Sequence, residues 1–204
     1  MIKYILITLA LGLAAGYISN NLGMAAITTT IFSEHLYNLS LIALLFFMGL
    51  LFGADKEAVA NLKKTGIKVL VFPFAIALGS ILGGLVGGLI LKLDLVASMG
   101  VCAGYGWYTL AGPLAGQLFG VEWAALGFTV NFLREITTII TISLTSKIDK
   151  YAPIAMGGAT AMDTTLPVIV RYCGQDTLIT AFSSGFTLTL MAPFTITAIA
   201  TIAH

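Results

Sequence analysis

Long apolar runs separated by short polar breaks set the rhythm of this chain. A helix needs about 20 apolar residues to cross a bilayer core. Runs of that kind cover residues 2–19, 37–54, 66–91, 95–119, 121–145, 152–171 and 175–202. The pattern predicts an all-α polytopic membrane protein of about seven transmembrane helices, forming one transmembrane domain over residues 1–204. Two of the runs are interrupted. GYGWYTLAGPLAG, residues 104–116, carries Gly104, Gly106 and Pro113, and GGATAMDTTLP, residues 157–167, carries Gly157, Gly158 and Pro167. Glycine weakens a helix, and proline removes an amide donor and crowds the preceding turn. Both stretches therefore predict discontinuous spans. By contrast, GGLVGG at 83–88 sits in an unbroken apolar run and predicts close helix packing.

Composition agrees with the pattern. Hydrophobic residues make up 58% of the chain and charged residues 9%, with a mean hydropathy of +1.01; a soluble domain is about 25% charged. That deficit of charge points to a lipid bilayer as the medium, and the net charge of +1 suggests neither a nucleic-acid partner nor a strongly basic membrane-binding face. Cys102 and Cys173 are far apart and read as buried free thiols. His35 and His204 stand alone, so the sequence suggests neither a metal centre nor a cofactor. MIKYILITLALGLAAGYIS has a signal-like look, but a single Lys3, an 18-residue apolar run and no clean cleavage site predict a retained first span.

Charge placement orients the chain. DKEAVANLKKTGIK, residues 55–68, is the longest polar stretch and reads as a loop holding Lys56, Lys63, Lys64 and Lys68. The positive-inside rule puts it in the cytoplasm, with the N-terminus cytoplasmic and the C-terminus outside. Lys3 and Arg171 join the inner set; Lys92, Lys147 and Lys150 fall outside, so the SKIDKY segment dissents.

Most charges map to loops or span ends; three fall well inside spans. Insertion of one costs about 2.5–3.5 kcal/mol at mid-helix. NFLREITT brings Arg134 and Glu135 to the middle of 121–145, with Asn131 one turn before Glu135 and on its face; Asp163 lies at similar depth in 152–171. One reading is structural, in which Arg134 pairs with Asp163 or Glu135 and staples two helices. The other is functional. Two acids against one arginine leave a net negative midplane site, which suits a transported cation or a proton. A carboxylate at a helix break, beside Thr164 and Thr165, matches the midplane sites of secondary transporters. Trp107 and Tyr108 either pack helices or wall the site by cation–π contact. An intramembrane aspartyl protease would need YD and GxGD pairs, which do not occur.

Taken in order, GYGWYTLAG at 104–112, NFLREI at 131–136, GGATAMDTTLP at 157–167 and LLFFMGLLFGADKE at 44–57 resemble the lysine exporter (LysO) family. The resemblance implies a secondary active transporter that exports L-lysine and its analogues across the cytoplasmic membrane. It implies Glu135 and Asp163 as essential acids, with Asp55 a further candidate. Single-chain members are longer, with about three more N-terminal spans. The resemblance therefore implies a small membrane subunit supplying that part, or a homodimer, and a ten-helix inverted-repeat arrangement like that of cation/proton antiporters. In that scheme the broken 152–171 span has its counterpart in 2–19. Proton antiport, with Arg134 or a half-helix end facing the substrate carboxylate, is the mechanism expected. Export of another basic amino acid, a polyamine or sodium, or an accessory role in a split transporter, is the alternative.

Overall fold

The computed structural model describes residues 2–23, 39, 43, 46, 47, 50, 54 and 56–202. Most of the expected span 37–54, together with Asp55, lies outside them. The chain divides into two compact units, Met1–Ala54 and Asp55–His204. In the first, helix α1 spans Ile2–Asn21 without interruption. Its glycines leave the backbone ladder intact.

The second unit consists, over its described residues, of helices joined by short turns and interruptions. Helix α2 runs Lys56–Leu91, 36 residues with Pro73 inside. The polar stretch 55–68, read as a loop, is thus helical from Lys56 onward. Its Ala, Leu, Lys and Glu residues are strong helix formers, and polarity alone does not end a helix. After a turn at Lys92, Asp94 caps α3 (Leu95–Cys102) by accepting from the Ala97 amide at 2.8 Å. α2 and α3 pack closely. A Cβ on Gly84 would stand 2.6 Å from the Ser98 carbonyl oxygen and one on Gly88 2.9 Å from Ser98 Oγ, while Gly83 and Gly87 face open space. Only two glycines of GGLVGG are thus used in packing within this unit.

The chain then unwinds over Ala103–Trp107 and resumes as α4 (Tyr108–Phe119), which includes Pro113. A tight turn at Gly120 leads into α5 (Val121–Ile148). α4 and α5 form a close hairpin, in which Tyr108 packs edge-on to Phe128 and Phe132, each at 5.4 Å between ring centres. The second interruption separates α6 (Ala152–Gly157) from α7 (Leu166–Cys173) by a 3-10 turn, Gly158–Met162, and three non-helical residues. Pro167 does not break this segment. It sits in the first turn of α7, where its missing amide costs nothing. The last helix, α8 (Leu178–Ala200), carries the buried residues Ser184, Gly185, Leu188, Ala192 and Ile196 and packs on the 3-10 turn.

Among the described residues, three helices are long and apolar enough to cross a membrane: Val71–Leu91, Val121–Ile148 and Gln175–Ala200. The expected spans 95–119 and 152–171 are the two interrupted ones, which is why they are not continuous helices of that length. The protein is an all-α membrane protein with discontinuous spans.

Candidate functional site

The two interruptions meet. Tyr105 adopts a left-handed conformation, φ 53°, costly for a bulky residue. Its carbonyl accepts from the Ala159 amide of the second interruption at 2.8 Å. On the other side of that contact, Gly158 has φ 63° and ψ −123°, and a Cβ there would lie 2.2 Å from the Tyr105 carbonyl oxygen. Only glycine allows the two backbones to approach so closely. α8 closes on the same point at Gly185, where a Cβ would stand 2.5 Å from the Met162 amide nitrogen. Gly104 and Gly106 lie in the first interruption, Gly106 at φ 100°. Gly157 ends α6.

Backbone freed by an interruption must find partners inside a membrane. The threonines supply some of them. Thr160 Oγ1 donates to the Gly157 carbonyl at 3.0 Å and lies 3.3 Å from Thr165 Oγ1, and Thr165 is fully buried. α5 supplies others. Asn131 Oδ1 accepts from the Gly106 amide at 2.7 Å, and its Nδ2 donates to Val101 and Gly127 carbonyls at 2.9 Å each. One turn on, Arg134 donates to the Met156 carbonyl at 2.8 Å, the Ala155 carbonyl at 2.9 Å and Ser80 Oγ on α2 at 2.8 Å. The structural reading, a staple between Arg134 and Asp163 or Glu135, does not form among the described residues. Among the described residues the ion pair is Lys150 with Asp176, out at the end of the bundle. The guanidinium fork spends its donors on carbonyls that the end of α6 leaves open.

Glu135 points elsewhere. It is 1% exposed, and neither carboxyl oxygen has a hydrogen bond of ordinary geometry. Tyr108, Thr164 and Asp163 are the polar groups that face it. Asp163 itself is exposed at the surface of the chain, held by the backbone and hydroxyl groups of Thr164. The structure thus brings Glu135, Asp163, Thr164 and Tyr108 together and turns Arg134 and Asn131 toward backbone. Trp107 lies half-buried at the start of α4. A groove of about 480 Å³ opens behind Arg134, between α2 and α6, lined by Phe72, Ile76, Ser80 and Met156.

Some participants escaped the sequence reading. Ser80 sits in an apolar run with no local cue. The buried Tyr105 hydroxyl faces Thr195, and Ser183 and Ser184 are buried with hydroxyl groups that, among the described residues, have no partner of ordinary hydrogen-bond geometry; the SSG triplet at 183–185, small and polar within an apolar span, was the signal available for α8.

With this geometry in view, similarity to known proteins becomes informative. The family model described as Lysine exporter LysO matches residues 6–200. The chain is 32% identical to "Lysine exporter LysO" of Escherichia coli over 161 residues, 77% of this chain and 52% of that protein, so it spans about half the length of that relative. It is 29% identical to "Putative lysine exporter" of Haemophilus influenzae over 157 residues, 75% of this chain and 78% of that one. No solved structure matches. The order and spacing of the two interruptions and the acid-bearing helix between them run within the matched region, and this chain belongs to the lysine exporter LysO family.

Proposed function

We propose that this protein exports L-lysine across the cytoplasmic membrane as a secondary active transporter, with Glu135 and Asp163 as its cation-handling pair. The observation that carries this reading is Glu135, a carboxyl group sealed from solvent at the crossing of two interrupted helices, faced by Tyr108, Thr164 and Asp163 and, among the described residues, without a hydrogen bond of ordinary geometry. A buried carboxyl group without a partner is costly unless a cation or a proton joins it. Membership of a lysine exporter family supplies the substrate class. A relative of comparable length bearing a lysine-exporter name supports a carrier built on this scale.

In this mechanism Asp163, exposed beside Thr164, meets the substrate ammonium group first. Glu135, behind Tyr108 and Thr164, accepts the cation or releases a proton in exchange. Export of lysine is then driven by inward proton movement, and the crossing rocks between its two faces. The N-terminus lies in the cytoplasm and the C-terminus outside. A small membrane subunit of about three spans, or a second copy of the chain, completes the transporter.

Counterflow of labelled L-lysine in proteoliposomes containing this chain tests the reading. Uptake is expected, and it is expected to vanish with Asp163→Asn and with Glu135→Gln. Unchanged uptake in both variants would sink the assignment of the pair. If the unmodified chain is silent, the assay is repeated with the family's N-terminal spans supplied as a separate subunit; continued silence rejects lysine. A competition series with arginine, cadaverine and sodium separates lysine from other cations.

A further inference from the structure

Asn131 and Arg134 stand one turn apart on α5, and each is committed to a different interruption. Asn131 engages the first one through the Gly106 amide and the Val101 carbonyl, and anchors itself on the Gly127 carbonyl of its own helix. Arg134 engages the second through the carbonyls of Ala155 and Met156, and ties them to Ser80 on α2. An asparagine amide has two donor hydrogens and one acceptor oxygen, so all of Asn131's functional groups are in use. The guanidinium makes three bonds, two of them to the end of α6. The guanidinium carbon would also lie 3.1 Å from a Cβ on Gly158, so the arginine braces the turn where the second interruption begins.

Both side chains thus substitute for the helical hydrogen bonds that the interruptions remove. Glu135, adjacent in sequence to Arg134, makes none of these contacts.

We propose that Asn131 and Arg134 are positioning residues: α5 is a frame that pins both interrupted helices, and neither side chain is a ligand for the substrate carboxylate. The proposal rests on the transport reading above for its consequence, but its structural half stands apart from it. Arg134 sets the position of α6 and the 3-10 turn, and through them where Asp163 stands relative to Glu135. The substrate carboxylate then finds its partner elsewhere at the crossing.

Two measurements on the full chain in lipid nanodiscs and proteoliposomes test this. The first is amide hydrogen exchange over peptides containing Gly106 and Ala159. Arg134→Lys offers a single compact donor group in place of the fork, and Asn131→Leu keeps the bulk of the side chain but removes the acceptor and both donors. At least tenfold faster exchange is expected around Ala159 in the first variant and around Gly106 in the second. Ser80→Ala removes one of the three guanidinium partners and is the milder variant, expected to shift exchange around Ala159 by about threefold should Arg134→Lys fail to insert. Exchange unchanged in the inserted variants overturns the frame, and this arm does not depend on lysine being the substrate.

The second measurement is the ratio of lysine to cadaverine transport, two substrates that differ by the α-carboxylate. A positioning role lowers the maximal rate for both and leaves both the ratio and the half-saturating lysine concentration within about twofold. A collapse of the ratio in Arg134→Lys, or a tenfold rise in half-saturation for lysine alone, overturns the proposal and makes Arg134 a carboxylate ligand. If the protein transports neither compound even with the family's N-terminal spans supplied, the transport reading fails while the exchange result still decides the frame.

Discussion

Replacing Gly158 by alanine should damage the crossing more than any other single methyl group in the chain. Two costs add. The backbone at φ 63° and ψ −123° lies outside the left-handed helical well, and a non-glycine residue held there costs about 1–3 kcal/mol. The added Cβ would also sit 2.2 Å from the Tyr105 carbonyl oxygen. That atom is backbone, so relief means moving one interruption away from the other by about 1 Å, to the edge of ordinary contact. Such a retreat breaks the bond from the Ala159 amide to Tyr105, 2.8 Å in the parent, and orphaned buried groups cost about 1–3 kcal/mol. The sum is about 2–6 kcal/mol. For a chain of this size the thermal midpoint in detergent should fall by at least about 5 °C, and transport should drop with it. Gly83→Ala is the control, since among the described residues nothing lies within 4 Å of its added methyl group. There alanine improves helix propensity by about 0.5–1 kcal/mol. Matching midpoints and matching transport for the two variants would refute the claim that the interruptions are held in contact.

Further expectations follow from the site and the bundle ends. Glu135→Gln removes a charge and no ordinary hydrogen bond, so its melting midpoint should equal or exceed the parent's while lysine counterflow falls to background; a large loss of stability would show a structural role instead. Asp163→Asn keeps an oxygen to accept from Thr164, so the variant should insert normally, as judged by size-exclusion chromatography, and fail to transport. Lys150 titrates above its ordinary value because the Asp176 carboxylate hydrogen-bonds to it. A raised folded-state value means that the pair's contribution is complete below the unfolded lysine value and is lost as pH rises through the raised one. Both partners are exposed, so the effect is small and screened: Asp176→Asn should leave the midpoint within about 1 °C of the parent in high salt, read by differential scanning fluorimetry at pH 7 and pH 11.

Much of this was readable in the sequence, and what was missed has common physical causes. Apolar runs report burial in lipid: the runs at 121–145 and 175–202 became helices at nearly those bounds, and the run at 66–91 forms the C-terminal part of the longer helix Lys56–Leu91. The pair Gly157-Gly158 marked the second interruption because glycine declares its backbone freedom locally. Pro167 misled in detail, since a proline that ends one helix and a proline that begins the next look alike in a sequence. Arg134 misled more seriously. A buried arginine suggests a carboxylate, yet its partners are the carbonyls of Ala155 and Met156, and backbone acceptors leave no mark in a sequence. The same holds for Asn131, whose placement on the Glu135 face suggested a shared site. The stretch 55–68 was read as a loop from its charge, whereas its residue types favour the helix that forms. Contacts such as Ala159 with Tyr105 join residues far apart along the chain, and no local pattern encodes them.

The length of α2 has a consequence beyond packing. Its 36 residues extend roughly 54 Å at 1.5 Å per residue, against a hydrocarbon core of about 30 Å. Some 20 Å of continuous helix therefore overhangs the bilayer, at the end that bears Lys56, Lys63 and Lys64. Short loops make most small transporters hard to grip. Here a charged helical post, continuous with the span that Arg134 grasps through Ser80, offers antibodies and fused reporters a firm hold from the water on the movements of the crossing.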